Sequence, residues 1–496
     1  MNQSLLREHG NKLLTSSSPI HHIDGLPNES SDTQIFQLPF DILSDIFKTI
    51  CVSTSYSPTS DNHPSRVKLM LVCRHWLAVV VETPYLWNEI KFIRSCWTDE
   101  GQVDILHNLI RNAGEAPLDI GLLNCPIDLM NENSLLPKVP DTLFSQYARN
   151  IRSITIKTYV PKSWLEQLSK LWSLGAFPKL ESFALEPPAQ LQSRAIIPPA
   201  YPVPIGDPSI RLSFPNTPSL KHLSITNVNI RFVLPWEQIT SLHLHSTNPE
   251  LALKIIVQCP NLEALDVSTR AWISEFPYVD FSALPVSIPL NRLHSLRFKN
   301  NAYTIPLSWS ETLLHHFAFS SLNNLKLDAL IDENPDFLLK FFQIHSRTME
   351  SLTALSLRCS NAGNQLGIID LKNILHPLKS LRSLELDLTN DWDDTVLPNA
   401  SKALRVTDDH RILPQLTHLA FKSRINILVD STSSAGILEV LSSRRGLSQR
   451  SRSPALMQCE LVDVGRVREL EKFTLDLDVE KDMLKNSSGG SSLRRS

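Results

Sequence analysis

LTALSL, residues 352–357, decides how most of this 496-residue chain is read. In an extended backbone, successive side chains point to opposite faces, so Leu355 and Leu357 share one face and Ser356 takes the other. The leading Leu352, two variable residues earlier, marks where the chain turns into the strand. With Ile, Phe or Val allowed for Leu, the same L-x-x-L-x-L frame starts at Ile151, Leu180, Leu220, Ile239, Leu262, Leu293, Leu322, Leu352, Leu381, Leu416 and Leu470. From Leu262 to Leu381 the steps are 31, 29, 30 and 29 residues, while elsewhere they run from 19 to 54. A period near 30 residues means stacked supersecondary units, each burying an apolar face that it cannot bury alone. The expected result is one strand per unit, joined in a parallel sheet, with helices or loops returning along the other side.

Lead-ins recur as well: FPKLESF at 177–183, CPNLEAL at 259–265 and LPQLTHL at 413–419. Frames and lead-ins together resemble the leucine-rich repeats of fungal F-box receptors. Among returning segments, NPDFLLKFFQIHS (334–346) has Pro335 near its start and Phe337, Leu338, Phe341, Phe342 and His345 at helical intervals, which predicts a helix with His345 as a packing residue. The proline-rich stretch 187–218 is expected as an irregular excursion.

Ahead of the frames, LPFDILSDIF (38–47), KLMLVCRHWLAVV (68–80) and TPYLWNEIKF (83–92) follow one another. Pro39 suits a first helical turn, where its missing N–H would have no intrahelical partner. Asp41 complements the positive end of the helix, and Ile42, Leu43, Ile46, Phe47 and Ile50 form one wide apolar face. The second run is too apolar for an exposed helix and predicts two short helices packed on the first. Thr83 to Trp87 end the helical pattern, and Ile90 and Phe92 alternate as in a strand.

The joint order of Leu-Pro, Ile-Leu…Ile-Phe, Val-Cys-Arg-x-Trp and Pro-x-Leu-Trp resembles the F-box family over Gln37 to Phe92, with a Ser/Thr/Pro-rich insertion at 51–65. The resemblance implies a substrate receptor of an SCF-type ubiquitin ligase that binds a Skp-type adaptor and, through it, a cullin scaffold. It implies that Leu38, Pro39, Ile42, Leu43, Ile46, Leu71, Val72, Cys73 and Trp76 form or support the docking surface. Some of these must instead hold the three helices together, and spacing does not separate the two sets.

The expected fold is therefore a mixed α+β, α/β repeat: a three-helix F-box at 35–92, then an irregular leucine-rich-repeat-like solenoid with a curved parallel sheet at 93–485. A disordered leader (1–34), a Ser/Arg-rich loop (431–453) and a disordered tail (486–496) complete the division. An unknown protein target is expected on the polar face of the strands, at His222, Ser224, His243, Asp266, Ser295, Arg297, Asn324, Lys326, Ser356, Glu385 and His418. The alternative expectation is an interaction scaffold with no ubiquitin role, either one that has the adaptor contact or one in which the helical module merely caps the repeats.

A net charge of -3, from 48 basic and 51 acidic residues, argues against a nucleic-acid surface. The nearest basic cluster, Arg444, Arg445, Arg450 and Arg452, is expected as a solvated stretch. Seven scattered cysteines have neither zinc-knuckle spacing nor the even count of a disulfide framework. No signal peptide and no run of about 20 apolar residues is present, so a cytosolic or nuclear location and no membrane are expected. No nucleophile elbow, H-E-x-x-H pair or phosphate loop occurs, so no catalytic, cofactor or metal site is expected and the chain is read as a non-enzyme.

Overall fold

The computed structural model describes residues 38–51, 65–92, 101–123, 138–157, 162–174, 177–186, 211–214, 217–226, 231–245, 249–269, 287–300, 314, 316–328, 335–360, 368–390, 396–405, 412–423, 436–437, 439–440, 442–444, 458–463 and 472–474. The expected leader, tail, 52–64 insertion and most of the proline-rich excursion lie outside these residues. Two compact units divide the chain, at Ile239 and Thr240.

The first unit opens with three helices: α1 (Phe40–Cys51), α2 (Ser65–Met70) and α3 (Arg74–Glu82). Pro39 stands one place before the first helical residue, its carbonyl accepting the Leu43 N–H at 3.1 Å. Cys73 caps α3, its Sγ accepting from the Trp76 N–H at 3.5 Å. Between helices, Phe47 and Trp76 meet edge-on with ring centroids 4.9 Å apart. Thr83 leaves the helical region and donates its hydroxyl to the Val79 carbonyl at 2.6 Å. A 3-10 turn at Pro84–Leu86 then leads through Trp87, whose indole N–H reaches the Val80 carbonyl at 2.8 Å, into β1 (Glu89–Phe92).

β1 is the first strand of a parallel sheet. It pairs with β2 (Leu118–Leu123), which pairs with β3 (Ile151–Lys157), then β4 (Ser182–Glu186) and β6 (His222–Thr226). Helices α4 (Gly101–Ala113), α5 (Lys138–Gln146) and α6 (Lys162–Leu174) intervene in sequence. Gly114, at φ +56°, ends α4 in the left-handed conformation that a side chain disfavours. Within the expected excursion, β5 (Arg211–Ser213) is a regular strand parallel to β7 (Arg231–Val233).

In the second unit β8 (Ser241–His245), β9 (Ala264–Thr269), β11 (Ser295–Asn300), β13 (Asn324–Asp328), β14 (Ala354–Ser360), β15 (Ser383–Asn390), β16 (His418–Ser423) and β17 (Gln458–Asp463) pair in parallel, in that order. Returning helices are α7 (Pro249–Val257), α8 (Pro335–Ile344), a short α9 (Ser346–Met349), α10 (Ile368–Leu375) and α11 (Val396–Leu404). A small parallel pair, β10 (Ile288–Leu290) and β12 (Phe317–Phe319), lies apart from the main sheet. One strand per repeat, stacked in parallel, is the leucine-rich-repeat-like solenoid arrangement.

The frame is mechanical. Its first Leu closes a turn, as when the Leu352 N–H donates to the Met349 carbonyl at 3.2 Å, and Leu293, Leu322, Leu352 and Leu381 are fully buried. The next residue ties each repeat to the one before. His294 donates to the Glu263 carbonyl at 2.8 Å, Asn323 to His294 at 2.9 Å, Thr353 to Asn323 at 2.9 Å and Arg382 to Thr353 at 2.8 Å. Behind the sheet, Leu242, Leu265, Leu296, Leu325, Leu355, Leu384 and Leu419 are in register, and so are Leu244, Val267, Phe298, Leu327, Leu357, Leu386 and Phe421. Both rows are buried.

Three expectations need correction. The frame at Leu470 precedes β18 (Lys472–Thr474), which runs antiparallel to β17, so it closes the sheet as a hairpin partner. β2 and β17 were not among the expected strands. Residues 431–453 are not wholly a solvated loop, for 436–437, 439–440 and 442–444 are helical. Arg444 is buried there and donates to the carbonyls of Leu413 at 3.0 Å, Ile412 at 3.2 Å and Leu404 at 3.4 Å, which closes the end of α11 and holds Leu413 at φ +52°. Burial lowers its pKa to about 10. His345 is a packing residue as expected, its ring 4.9 Å from Phe341 and 5.2 Å from Phe319.

Candidate functional site: an exposed aliphatic face and a charged strip

The nine residues expected at the adaptor surface separate into two groups. Leu43 is 1% exposed and Cys73 2%, so both hold the helices together, Leu43 beside Phe47 and Cys73 as the α3 cap. Trp76 is part-buried against Phe47. Facing outward on α1 are Ile42 (46% exposed) and Ile46 (39%), with Phe40 and Ile50 besides, and in the α2–α3 turn Leu71 (58%) and Val72. Pro39 is exposed and Leu38 part-buried, its carbonyl 3.4 Å from His75 Nε2. The apolar face of α1 is thus two adjacent faces: Leu43 and Phe47 turn inward, while Ile42, Ile46 and Ile50, spaced by one helical turn, turn out. Tyr85, exposed and 5.8 Å from Lys48 Nζ in a cation–π contact, borders the module and was not foreseen.

On the polar face of the strands, the expected target residues fall on regular rows. His222, exposed on β6, belongs to the first unit with Ser224, which donates to Glu186 at 3.2 Å. In the second unit Ser295, Asn324 and His418 share a row through Ala354 and Ser383. Two residues further on, His243, Asp266, Arg297, Lys326, Ser356 and Glu385 form the next row. A third row, missed from the sequence, carries His245, Ser268, Lys299, Asp328, Arg358, Asp387 and Lys422.

These charges are largely paired with one another. Arg297 lies 3.7 Å from Asp266 and 3.4 Å from Asp328, Lys326 3.5 Å from Glu385, Lys422 2.8 Å from Glu385 and Arg358 3.7 Å from Asp387. In the first unit Arg152 pairs with Asp119 and Lys157 with Glu186 at 3.1 Å. Reversing Arg297 and Lys326 to Glu would therefore break the sheet's own ion pairs. Arg297→Gln with Lys326→Met is the cleaner probe of target binding.

Glu385 anchors its cluster. Burial alone would raise its pKa, but hydrogen bonds from Lys422 and from Ser356 at 2.9 Å, with the charges of Lys422 and Lys326, outweigh that and hold it below the ordinary 4.5. A depressed folded-state pKa contributes stability that is present above the unfolded value and is lost as pH falls through the folded one. Glu385→Gln is expected to cost about 1–2 kcal/mol at pH 7, the range for hydrogen bonds to a charged group reduced for partial exposure. Urea unfolding at pH 7 and below pH 4.5 checks this, since the difference from the intact chain should shrink on the acid side.

Residues 35–93 match the F-box-like family, so the three-helix module with β1 is an F-box-like domain. No curated protein sequence matches the chain. Among solved structures, the leucine-rich repeat-containing protein LegL7 from Legionella pneumophila is similar, at 12% identity and a TM-score of 0.34, over 78% of this chain and 97% of that one. No described helix is long and apolar enough to cross a membrane.

Proposed function

We propose that the chain is a non-catalytic substrate receptor of a cullin-RING, SCF-type ubiquitin ligase. Its F-box-like domain docks a Skp-type adaptor through the outward face of α1 and the α2–α3 turn, and its strand face holds a target protein. Catalysis is then by tethering, which raises the effective concentration of a target lysine near the charged partner. The observation that carries this reading is the exposure of Ile42, Ile46, Leu71 and Val72 on a module whose packing is already complete through Leu43, Phe47 and Leu77. Exposed aliphatic anchors beside a closed core are what a helix-and-groove partner buries.

A second reading has its own observation. β1 of the module pairs with β2 from Glu89↔Asp119 to Phe92↔Leu122, so the domain also caps the repeats. A cap alone needs a polar outer face, and the exposed Ile42, Ile46, Leu71 and Val72 are the opposite of that. The mixed, internally paired charges of the strips suit a polar protein partner and no nucleic acid, in the cytosol or nucleus.

Turnover measured across the proteome of cells lacking the chain separates the two readings. At least one protein should accumulate, with its degradation restored by the intact chain but not by Ile42→Asp with Ile46→Asp and Leu71→Asp. Equal restoration by that variant would leave the interaction scaffold without a ubiquitin role.

A further inference from the structure

We propose that His243, His245 and Asp266 bind a first-row transition-metal ion of the Zn²⁺ class on the polar face of β8 and β9. The proposal is independent of the ligase reading. His243 and His245 stand two apart on β8 and so share a face, their rings nearly parallel at 24° with centroids 6.2 Å apart. Register places Asp266 of β9 directly beside His243. Asp266 Oδ2 is 3.6 Å from His243 Nδ1 and 4.0 Å from His245 Nε2, and one ligand atom from each residue lies within 4.8 Å of the others.

These separations are too long for direct hydrogen bonds. They are close to what an ion spans, since ligands about 2.0–2.1 Å from a tetrahedral centre are about 3.3–3.4 Å from each other. Small side-chain rotations would close the difference. Two further features point the same way. His243 Nε2 lies 3.4 Å from Ser241 Oγ, an outer partner that can take the Nε2 proton and leave Nδ1 as a lone pair toward Asp266. Asp266 Oδ1 is buried and accepts no hydrogen bond among the described residues, so the carboxylate's charge is balanced only by what gathers at Oδ2.

Two imidazoles and one carboxylate suit zinc, cobalt, nickel or copper and are too poor in oxygen for calcium or magnesium. Three protein ligands leave a fourth position for water, on a side where His243 and His245 are 44% and 35% exposed. Arg297 competes for Asp266 at 3.7 Å but has a second acceptor, Asp328, at 3.4 Å, to which it can turn when an ion enters.

The test is titration of the chelator-stripped full chain with ZnCl₂ by calorimetry and with CoCl₂ by visible absorption. One strong ion per chain is expected, with the d–d bands of a tetrahedral cobalt site. An outer-shell change costs about 10–100-fold in affinity. Ser241→Ala should weaken binding by about that, and His243→Ala, His245→Ala and Asp266→Asn by at least as much. Arg297→Gln, which removes the competing cation, should strengthen it. All these positions are partly exposed or lie on the polar face, and circular dichroism melting confirms that each variant is folded. Unchanged stoichiometry and affinity in the His243→Ala, His245→Ala double variant would overturn the assignment, as would the absence of saturable binding to the intact chain.

Discussion

Ile46→Asp combined with Leu71→Asp is expected to weaken binding of the Skp-type adaptor by about a thousandfold while leaving thermal unfolding almost unchanged. Buried interface anchors cost about 2 kcal/mol or more each when lost, and about 1.4 kcal/mol is a factor of ten, so two of them give three orders of magnitude. The fold should tolerate both changes, because Ile46 and Leu71 are 39% and 58% exposed and a carboxylate at either place stays hydrated. Substitutions of that kind usually fall within about 0.5 kcal/mol of neutral. Leu43→Ala is the counter-case. It removes a side chain that is 1% exposed, so it should lower stability by about 2–5 kcal/mol and reduce adaptor binding only as far as the domain unfolds. Cys73→Ser keeps a cap acceptor for the Trp76 N–H and should do little to either property. Affinity by calorimetry with purified adaptor, measured beside the melting curve of each variant, separates the groups. Wild-type affinity in the Asp pair would reject docking through the outer face of α1 and the α2–α3 turn.

That separation was only half legible in the sequence. Helical spacing puts Ile42, Leu43, Ile46, Phe47 and Ile50 on one side of a helix, but a stripe so wide has two edges. Which edge faces the core depends on where α2 and α3 lie, and that is tertiary information. The repeats were more legible because their signal is local and redundant. Every frame from Ile151 to Leu416 precedes a parallel strand that begins zero to two residues later. Of the parallel strands that pair directly with frame strands, the two that escaped, β2 and β17, have frames spoiled at one position. β2 carries Pro117 where the leading Leu belongs, and β17 has Cys459 in place of the second Leu. Leu470 shows the opposite failure, a frame without the parallel neighbour that would make it a repeat.

Charge was the least legible property. Arg444 sits in a Ser/Arg-rich stretch that composition marks as solvated, yet its guanidinium answers three carbonyls at the end of α11 and around Leu413, a requirement set by residues about 30 to 40 positions away. The polar strip was foreseen as a row of single residues because alternation is visible in each strand. Its pairing was not, because Glu385 meets Lys326 and Lys422 only through the register of four strands. For the same reason His243, His245 and Asp266 carry no metal signature in the sequence. A histidine pair two apart and an aspartate 21 residues later acquire meaning only when β8 and β9 lie side by side.

Trp172→Ala should be the most damaging single change in the first unit, costing about 3–5 kcal/mol, the range for deleting a large buried aromatic side chain. Trp172 of α6 is 1% exposed and stacks on Phe214 with centroids 4.2 Å apart. It also meets Phe183 of β4 edge-on at 5.3 Å and Phe144 of α5 at 6.3 Å, so one ring joins two helices, a strand and the residue after β5. Each repeat is held chiefly by its neighbours, and emptying that space loosens several contacts at once with little to collapse into it. Trp172→Phe distinguishes lost packing from mere intolerance of change. The indole N–H is buried and has no hydrogen-bond partner among the described residues, so Phe removes an unsatisfied donor together with part of the volume and should cost distinctly less than Ala. Amide exchange of β3 and β4 is the measurement of choice, since global unfolding of a repeat protein need not be two-state. About a hundredfold faster exchange or more in Trp172→Ala, with a much smaller change in Trp172→Phe, is the expected pattern. Equal acceleration in both would mean that the stacked indole, and not the bulk of the aromatic cluster, holds these strands to their helices.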